Sequence, residues 1–193
     1  GSSDKSFSSS DAASSDGNAY ARFDCNHRGG EILKYWTASY RLIEYANRFI
    51  AGVESSEFYK VQDADVMQQL GEAKCLRAMA YHDLVVMFGD VPFKFAPTAG
   101  NSSDELPPVM SRSAVQDSII KDLQEIAPYM VSSKTSTVER CSREFAHALI
   151  ARVALTAGGY SLHPVKDNER SYGEMKRPDN YKDYYEIAML YAD

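Results

Sequence analysis

The feature that most constrains this chain is a run of helical periodicity bounded by its own stop signal. From about Asp65 to Phe88 the residues Leu70, Ala73, Leu76, Ala80 and Leu84 recur at three- and four-residue steps, which places them on one face of a helix. Gly89 follows as a residue able to take the left-handed position after a helix, and Pro92 bars any continuation. Small side chains at Ala73, Ala78 and Ala80 let a second helix approach closely. An earlier stripe, Ile32, Trp36, Tyr40, Ile43, Asn47 and Ile50, predicts a first helix from Glu31, preceded by Gly29-Gly30 and ending near Gly52.

The pattern repeats downstream. Residues 90–112 read as an extended excursion punctuated by four prolines, with Phe93 and Phe95 alternating as in a short strand. Ser113-x-x-Gln116 fits a capping box for a third helix whose stripe is Val115, Ile119, Leu123, Ile126 and Met130. Ser142 can cap a fourth, carrying Ala146, Leu149, Val153 and Leu155 and ending at Gly158-Gly159. After a polar loop with Pro164 and Pro178, a fifth begins at Tyr181, with Tyr184, Ile187, Ala188 and Tyr191 apolar. This last stripe has no following element to pack on before Asp193, so the sequence is expected to be part of a longer chain. The fold class is therefore all-α: helix pairs of tetratricopeptide type with long irregular loops, an α-solenoid without a strict repeat of ~34 residues.

Composition excludes several functions. The chain has 193 residues and a formal charge of −6, which disfavours nucleic acid as a partner. No apolar run reaches the roughly 20 residues of a membrane span. Cys25, Cys75 and Cys141 include no C-x-x-C pair, so a structural zinc site is not expected, Cys75 reads as a small core residue, and a Cys25–Cys141 bridge is disfavoured for want of a disulfide framework. His27, His82, His147 and His163 share no ligand spacing, and no metal or other cofactor is expected. The motifs G-x-S-x-G, H-E-x-x-H and G-x-x-x-x-G-K-[ST] are absent, and no catalytic residue is nominated. Within the helices, Asn47 is read as a buried amide satisfied by backbone groups. Arg77 is read as a fork for loop carbonyls or a carboxylate, and Asp122 as structural.

Residues 1–28 form a separate region, Ser-rich and flexible at first because so little of it can be buried, with Gly1-Ser2 resembling a cloning scar. Its second half, Asn18-Ala-Tyr20-Ala-Arg22-Phe23-Asp24-Cys25-Asn26-His27-Arg28, gathers aromatics, amides and guanidinium groups just before the first helix. Tyrosines are numerous (13 Tyr against one Trp), and a hydroxylated flat ring suits a sugar, covering its C–H face while the phenol hydrogen-bonds a hydroxyl. Helical tyrosines such as Tyr40, Tyr45, Tyr81 and Tyr184 are expected in the core. The loop aromatics Tyr20, Phe23, Tyr160 and Tyr172 are expected to be available for function.

Four ordered segments carry a family resemblance. Gly71-Glu-Ala-Lys-Cys-Leu-Arg-Ala-Met-Ala-Tyr-His-Asp-Leu-Val-Val-Met-Phe-Gly-Asp-Val-Pro-Phe93 resembles the most recognisable stretch of the SusD/RagB family. Trp36-x-x-x-Tyr40-x-x-Ile43-x-x-x-Asn47 looks like the family's first long helix. Arg112-Ser-x-x-x-x-x-Ile119-x-x-Asp122-Leu123 and Arg140-x-Ser142-x-x-x-Ala146-x-Ala148-Leu149-x-Ala151-Arg152-Val153-x-Leu155 look like two later ones. The resemblance implies a SusD-like α-solenoid over residues 29–193, truncated at the C-terminus. It also implies a non-catalytic outer-membrane, surface-exposed lipoprotein, held through a lipid anchor not present in this chain. Such a protein captures oligosaccharides and delivers them to a SusC-type TonB-dependent transporter. Family members often draw ligand contacts from loops just before the first helix, which nominates Asn18, Tyr20, Arg22, Asn26 and Arg28. Capture of oligopeptides, a plain tetratricopeptide interaction scaffold and, more remotely, a glycan-processing enzyme are the alternatives.

Overall fold

The computed structural model describes residues 30–98, 107–135, 139–163 and 173–192. In chain order these form α1 (Gly30–Glu54), α2 (Glu57–Lys60), α3 (Ala64–Phe88), β1 (Val91–Pro92), β2 (Val109–Met110), α4 (Arg112–Ile126), a 3-10 turn (Ala127–Tyr129), α5 (Arg143–Ala157), β3 (Ser161–His163), β4 (Glu174–Lys176) and α6 (Tyr181–Ala192). Two compact units are distinguished, Gly1–Arg41 and Leu42–Asp193. The described part of the first is the N-terminal half of α1, where Trp36 and Tyr40 stack one turn apart at 4.9 Å.

In the second unit, α3 packs on α4, α4 on α5 and α5 on α6, so consecutive helices are neighbours throughout. The all-α expectation holds. Strands are confined, among the described residues, to two minimal antiparallel pairs: β1 with β2, and β3 with β4. The helical stripes meet in an aliphatic core of Leu70, Leu84, Val115, Ile119, Leu123 and Ile150. Helix starts follow from serine and aspartate caps. Asp63 accepts from Asp65 and Val66 backbone N–H groups, and Ser142 from that of Phe145. For α4 the cap is Ser111, accepting from Ala114 N–H, rather than the expected Ser113. Two serines compete there, and Asp90 satisfies the first-turn N–H of Arg112 from outside the helix at 2.9 Å, which lets the helix start two residues earlier.

Two other boundaries differ. α1 runs past Gly52 to Glu54, because a helical glycine weakens a helix without ending it. Gly89 is itself the C-cap, with φ 79° and ψ −120°, a conformation open to glycine alone but not the left-handed helical one.

The burial of α3 departs most from the sequence pattern. Leu76 is 43% exposed, whereas Lys74 and Arg77 are buried at 8% and 2%. Both cations converge on Asp122 of α4: Lys74 Nζ lies 2.7 Å from Oδ1 and Arg77 Nη2 2.6 Å from Oδ2. Arg77 Nη1 also donates to Asn47 Oδ1 at 2.8 Å, and its guanidinium carbon stands 3.8 Å over the Phe95 ring. Asn47 in turn donates to the carbonyls of Lys94 and Ala96, as expected for a buried amide. Tyr81 exchanges two hydrogen bonds with the Lys94 backbone, and Tyr81, Phe93 and Phe95 pack ring to ring. The first part of the 90–112 excursion is thus docked along α1 and α3, and it closes where Phe93 N–H donates to Pro108. Similar corrections apply to Tyr45 and Leu155, both expected inside and both exposed, at 63% and 57%.

Breaking this knot should cost far more than trimming the aliphatic residue beside it. Arg77→Ala leaves Asp122 with Lys74 alone and Asn47 Oδ1 without its donor, and should lower unfolding stability by about 3–5 kcal/mol, whereas Leu76→Ala should cost less than about 1 kcal/mol. Urea denaturation of the two variants decides it, and equal losses would show that the ion pairs are not structural.

Candidate functional site

The five residues nominated ahead of α1, Asn18, Tyr20, Arg22, Asn26 and Arg28, lie outside the described residues, as do Phe23 and Tyr172. Among the loop aromatics Tyr160 is described, and at 67% exposure it is available as expected.

Its surroundings follow from strand register. Ser161 pairs with Lys176 in the β3–β4 hairpin, so the next positions outward, Tyr160 and Arg177, come together at the hairpin base. Arg177 lies 4.6 Å over the Tyr160 ring. The start of α6 adds Tyr181 and Tyr185, one turn apart, with ring centroids 5.0 and 5.8 Å from the same guanidinium. A methyl at Gly158 would come within 2.7 Å of the Tyr185 ring and 2.9 Å of the Tyr181 carbonyl, so only glycine lets the end of α5 approach α6 this closely. The result is a guanidinium among three electron-rich rings, each with a phenol. Arg177 Nε is buried without an acceptor. Such a surface can stack the C–H face of a pyranose on Tyr160 and hydrogen-bond its hydroxyls. Arg177, Tyr181 and Tyr185 were not nominated from sequence, because they converge only once the hairpin register is known.

A second concave surface, a groove of about 560 Å³, runs between α5 and α6 and is lined by Glu144, His147, Ala151, Arg152, Leu155 and Tyr191. His147 meets the Tyr191 ring edge-on at 5.1 Å. At its rim Glu144 accepts from Ser133 N–H at 2.6 Å and from Ser132 Oγ at 2.8 Å, pinning the segment that precedes α5. These bonds, the Ser133 backbone first, hold its carboxyl down at about 2. A third groove, of about 480 Å³, lies between the α2–α3 corner and the end of α4, with Tyr59, Gln62, Lys74 and Tyr129 on its walls. Among the described residues no group of three or more His, Cys, Asp or Glu is placed to hold a metal ion. None of their helices is long and apolar enough to cross a membrane. His82 is buried, and desolvation holds its pKa below the usual imidazole value.

Comparison with known proteins bears on what these surfaces belong to. The SusD-like family described as "Starch-binding associating with outer membrane" matches residues 2–155. The chain belongs to the SusD-like family. Two proteins of Formosa agariphila are related in sequence. SusD-like protein P2 is 28% identical over 165 residues, covering 81% of this chain and 31% of the relative. SusD-like protein P38 is 33% identical over 90 residues, 47% of this chain and 17% of the relative. The chain thus spans a third or less of the curated relatives it matches. Among solved structures, a SusD homologue from Bacteroides thetaiotaomicron superposes with TM-score 0.68 at 22% identity, over 91% of this chain and 31% of that one. A structure described as a complex with xylogluco-oligosaccharide gives TM-score 0.69 at 21% identity, over 90% and 31%. A laminarin-binding SusD-like protein gives 0.62 at 26%, over 73% and 30%. The helical arrangement is therefore that of the SusD-like fold.

The depressed Glu144 carboxyl has a measurable consequence. Its contribution to stability is complete above the ordinary carboxylate value of 4.5 and is lost as pH falls toward about 2. Glu144→Gln should therefore flatten the fall of Tm across that window. An unchanged slope would mean that the Ser132–Ser133 contacts do not form in solution.

Proposed function

We propose that this chain is a helical portion of a non-catalytic, surface-exposed glycan-binding lipoprotein of the outer membrane. It captures oligosaccharides and passes them to a SusC-type TonB-dependent transporter. The observation that carries this reading is the family match over residues 2–155. The laminarin-binding and xylogluco-oligosaccharide-bound relatives support an oligosaccharide as the ligand class. In this reading α3–α6, with α1 from Leu42 on, are the frame. Ligand contacts are proposed at Asn18, Tyr20, Arg22, Asn26 and Arg28 ahead of α1 and, as a separate surface of the second unit, at Tyr160 and Arg177. No cofactor takes part, since capture needs only stacking and hydrogen bonds.

Calorimetric titration of the full-length protein against parallel pools of oligosaccharides and peptides tests it. Heat is expected from saccharides, with no new reducing ends appearing in the bound pool. Tyr160→Ala should weaken saccharide affinity roughly fivefold, about 1 kcal/mol, through loss of one stacking face. Heat from the peptide pool alone would replace glycan capture with oligopeptide capture. Silence from both pools would favour a plain interaction scaffold.

A further inference from the structure

Three arginines of this chain are fixed by carboxylates. Arg77 sits on Asp122 at 2.6 Å, Arg140 on Glu72 at 2.7 Å and Arg48 on Glu44 at 2.6 Å. Arg177, half-buried at the base of the β3–β4 hairpin, is held differently. Its neighbours are the rings of Tyr160, Tyr181 and Tyr185, at 4.6, 5.0 and 5.8 Å. Among the described residues it makes no hydrogen bond and no ion pair, and its Nε is buried without an acceptor. The carboxylates of the surrounding elements are engaged elsewhere. Glu174 of β4 lies 3.7 Å from Lys176 Nζ, and Asp117, reaching α6 from α4, takes the Tyr184 OH at 2.6 Å.

We propose that Arg177 makes this surface selective for acidic saccharides: a pyranose stacks on Tyr160 while its carboxylate or sulfate group accepts from the guanidinium. The proposal rests on the reading of the Tyr160–Arg177 surface as a saccharide site, and names the class of saccharide it takes.

The argument is one of unspent donors. Aromatic rings attract a guanidinium and offset part of the cost of drawing it from water, but they offer no oxygen to its five N–H groups. A neutral sugar would leave the cation unpaired. A carboxylate or sulfate brings two oxygens in the spacing that the planar fork presents, and each charge-assisted bond is roughly twice as strong as one to a hydroxyl. Partial burial among three rings strengthens the pair further, because the effective dielectric falls. The phenols of Tyr160, Tyr181 and Tyr185 remain for the sugar hydroxyls. The formal charge of −6 repels an acidic ligand at a distance, but charges beyond roughly 8 Å are screened at physiological salt, so the local cation decides.

The test titrates the full-length protein calorimetrically with two acidic pools, uronate oligosaccharides and sulfated oligosaccharides. Each is run beside its own neutral twin, made by carboxyl reduction or desulfation. An acidic pool is expected to bind roughly tenfold more tightly than its twin, with the preference shrinking as NaCl is raised. The pool that shows the larger preference identifies the anion. Arg177→Gln should bring the ratio of acidic to neutral affinity close to one. Arg177→Lys, which keeps the charge and loses the fork, should leave it in between. Should the glutamine variant fail to fold, the lysine variant and the salt dependence of the native protein carry the test. Equal affinity for acidic and neutral twins, or a preference that survives Arg177→Gln, would overturn the proposal while leaving saccharide capture in place. Silence from all four pools would remove both.

Discussion

Everything in the described helical unit depends on how one carboxylate, Asp122, is shared between Lys74 and Arg77. Removing three charged groups from water is costly, and attraction between them offsets that only when the remaining polar atoms find partners. Here they do. Arg77 spends its second amino group on Asn47 and lays its plane on Phe95, and Lys74 has Glu54, at 3.9 Å, as a further anion near the surface. Because those partners come from α1, α3, α4 and the extended segment after β1, the knot sets the mutual positions of four pieces of chain in one place. A purely aliphatic centre would hold them together but not specify the rotation of α3, whose apolar residues are spread round much of its circumference.

A second polar lattice does the same for the loop ahead of α5. Gln68 and Glu72 bind Val131, Arg140 and the Cys141 carbonyl, while Glu144 closes the Ser132–Ser133 turn. Backbone groups of an irregular segment must find partners when water is excluded, and two side chains of α3 supply several of them. The knot and this lattice lie on different faces of one helix, which makes α3 the axis that both loops read.

The helices were legible because their stripes are long, and because Ser142 caps where a cap was needed. Misreadings arose where chemistry outranked hydrophobicity. Leu76 looked like core, yet Arg77, read as a fork for a carboxylate and found on Asp122, takes the buried place while the leucine faces out. Leu155 and Tyr45 show the same limit, since periodicity locates an apolar face only to within a residue or so when a helix is apolar on several sides. The Tyr160 surface was half legible. Tyr160 stood out as a loop aromatic, but Arg177 reaches it through a register across residues 161–176 that no local pattern encodes.

These features divide the labour between frame and surface. Stacking on a sugar is weak per contact, so a binding surface gains little from rings that must first be ordered. Tyr160, Tyr181 and Tyr185 escape much of that penalty. Arg177 fills the space between them, Gly158 admits Tyr185 against the end of α5, and the OH of Tyr184, one residue away on α6, is tied to Asp117 of α4 at 2.6 Å. That bond joins α6 to α4, and α4 carries Asp122. The exposed aromatic surface is thereby connected, through one helix, to the buried charges that hold the unit together.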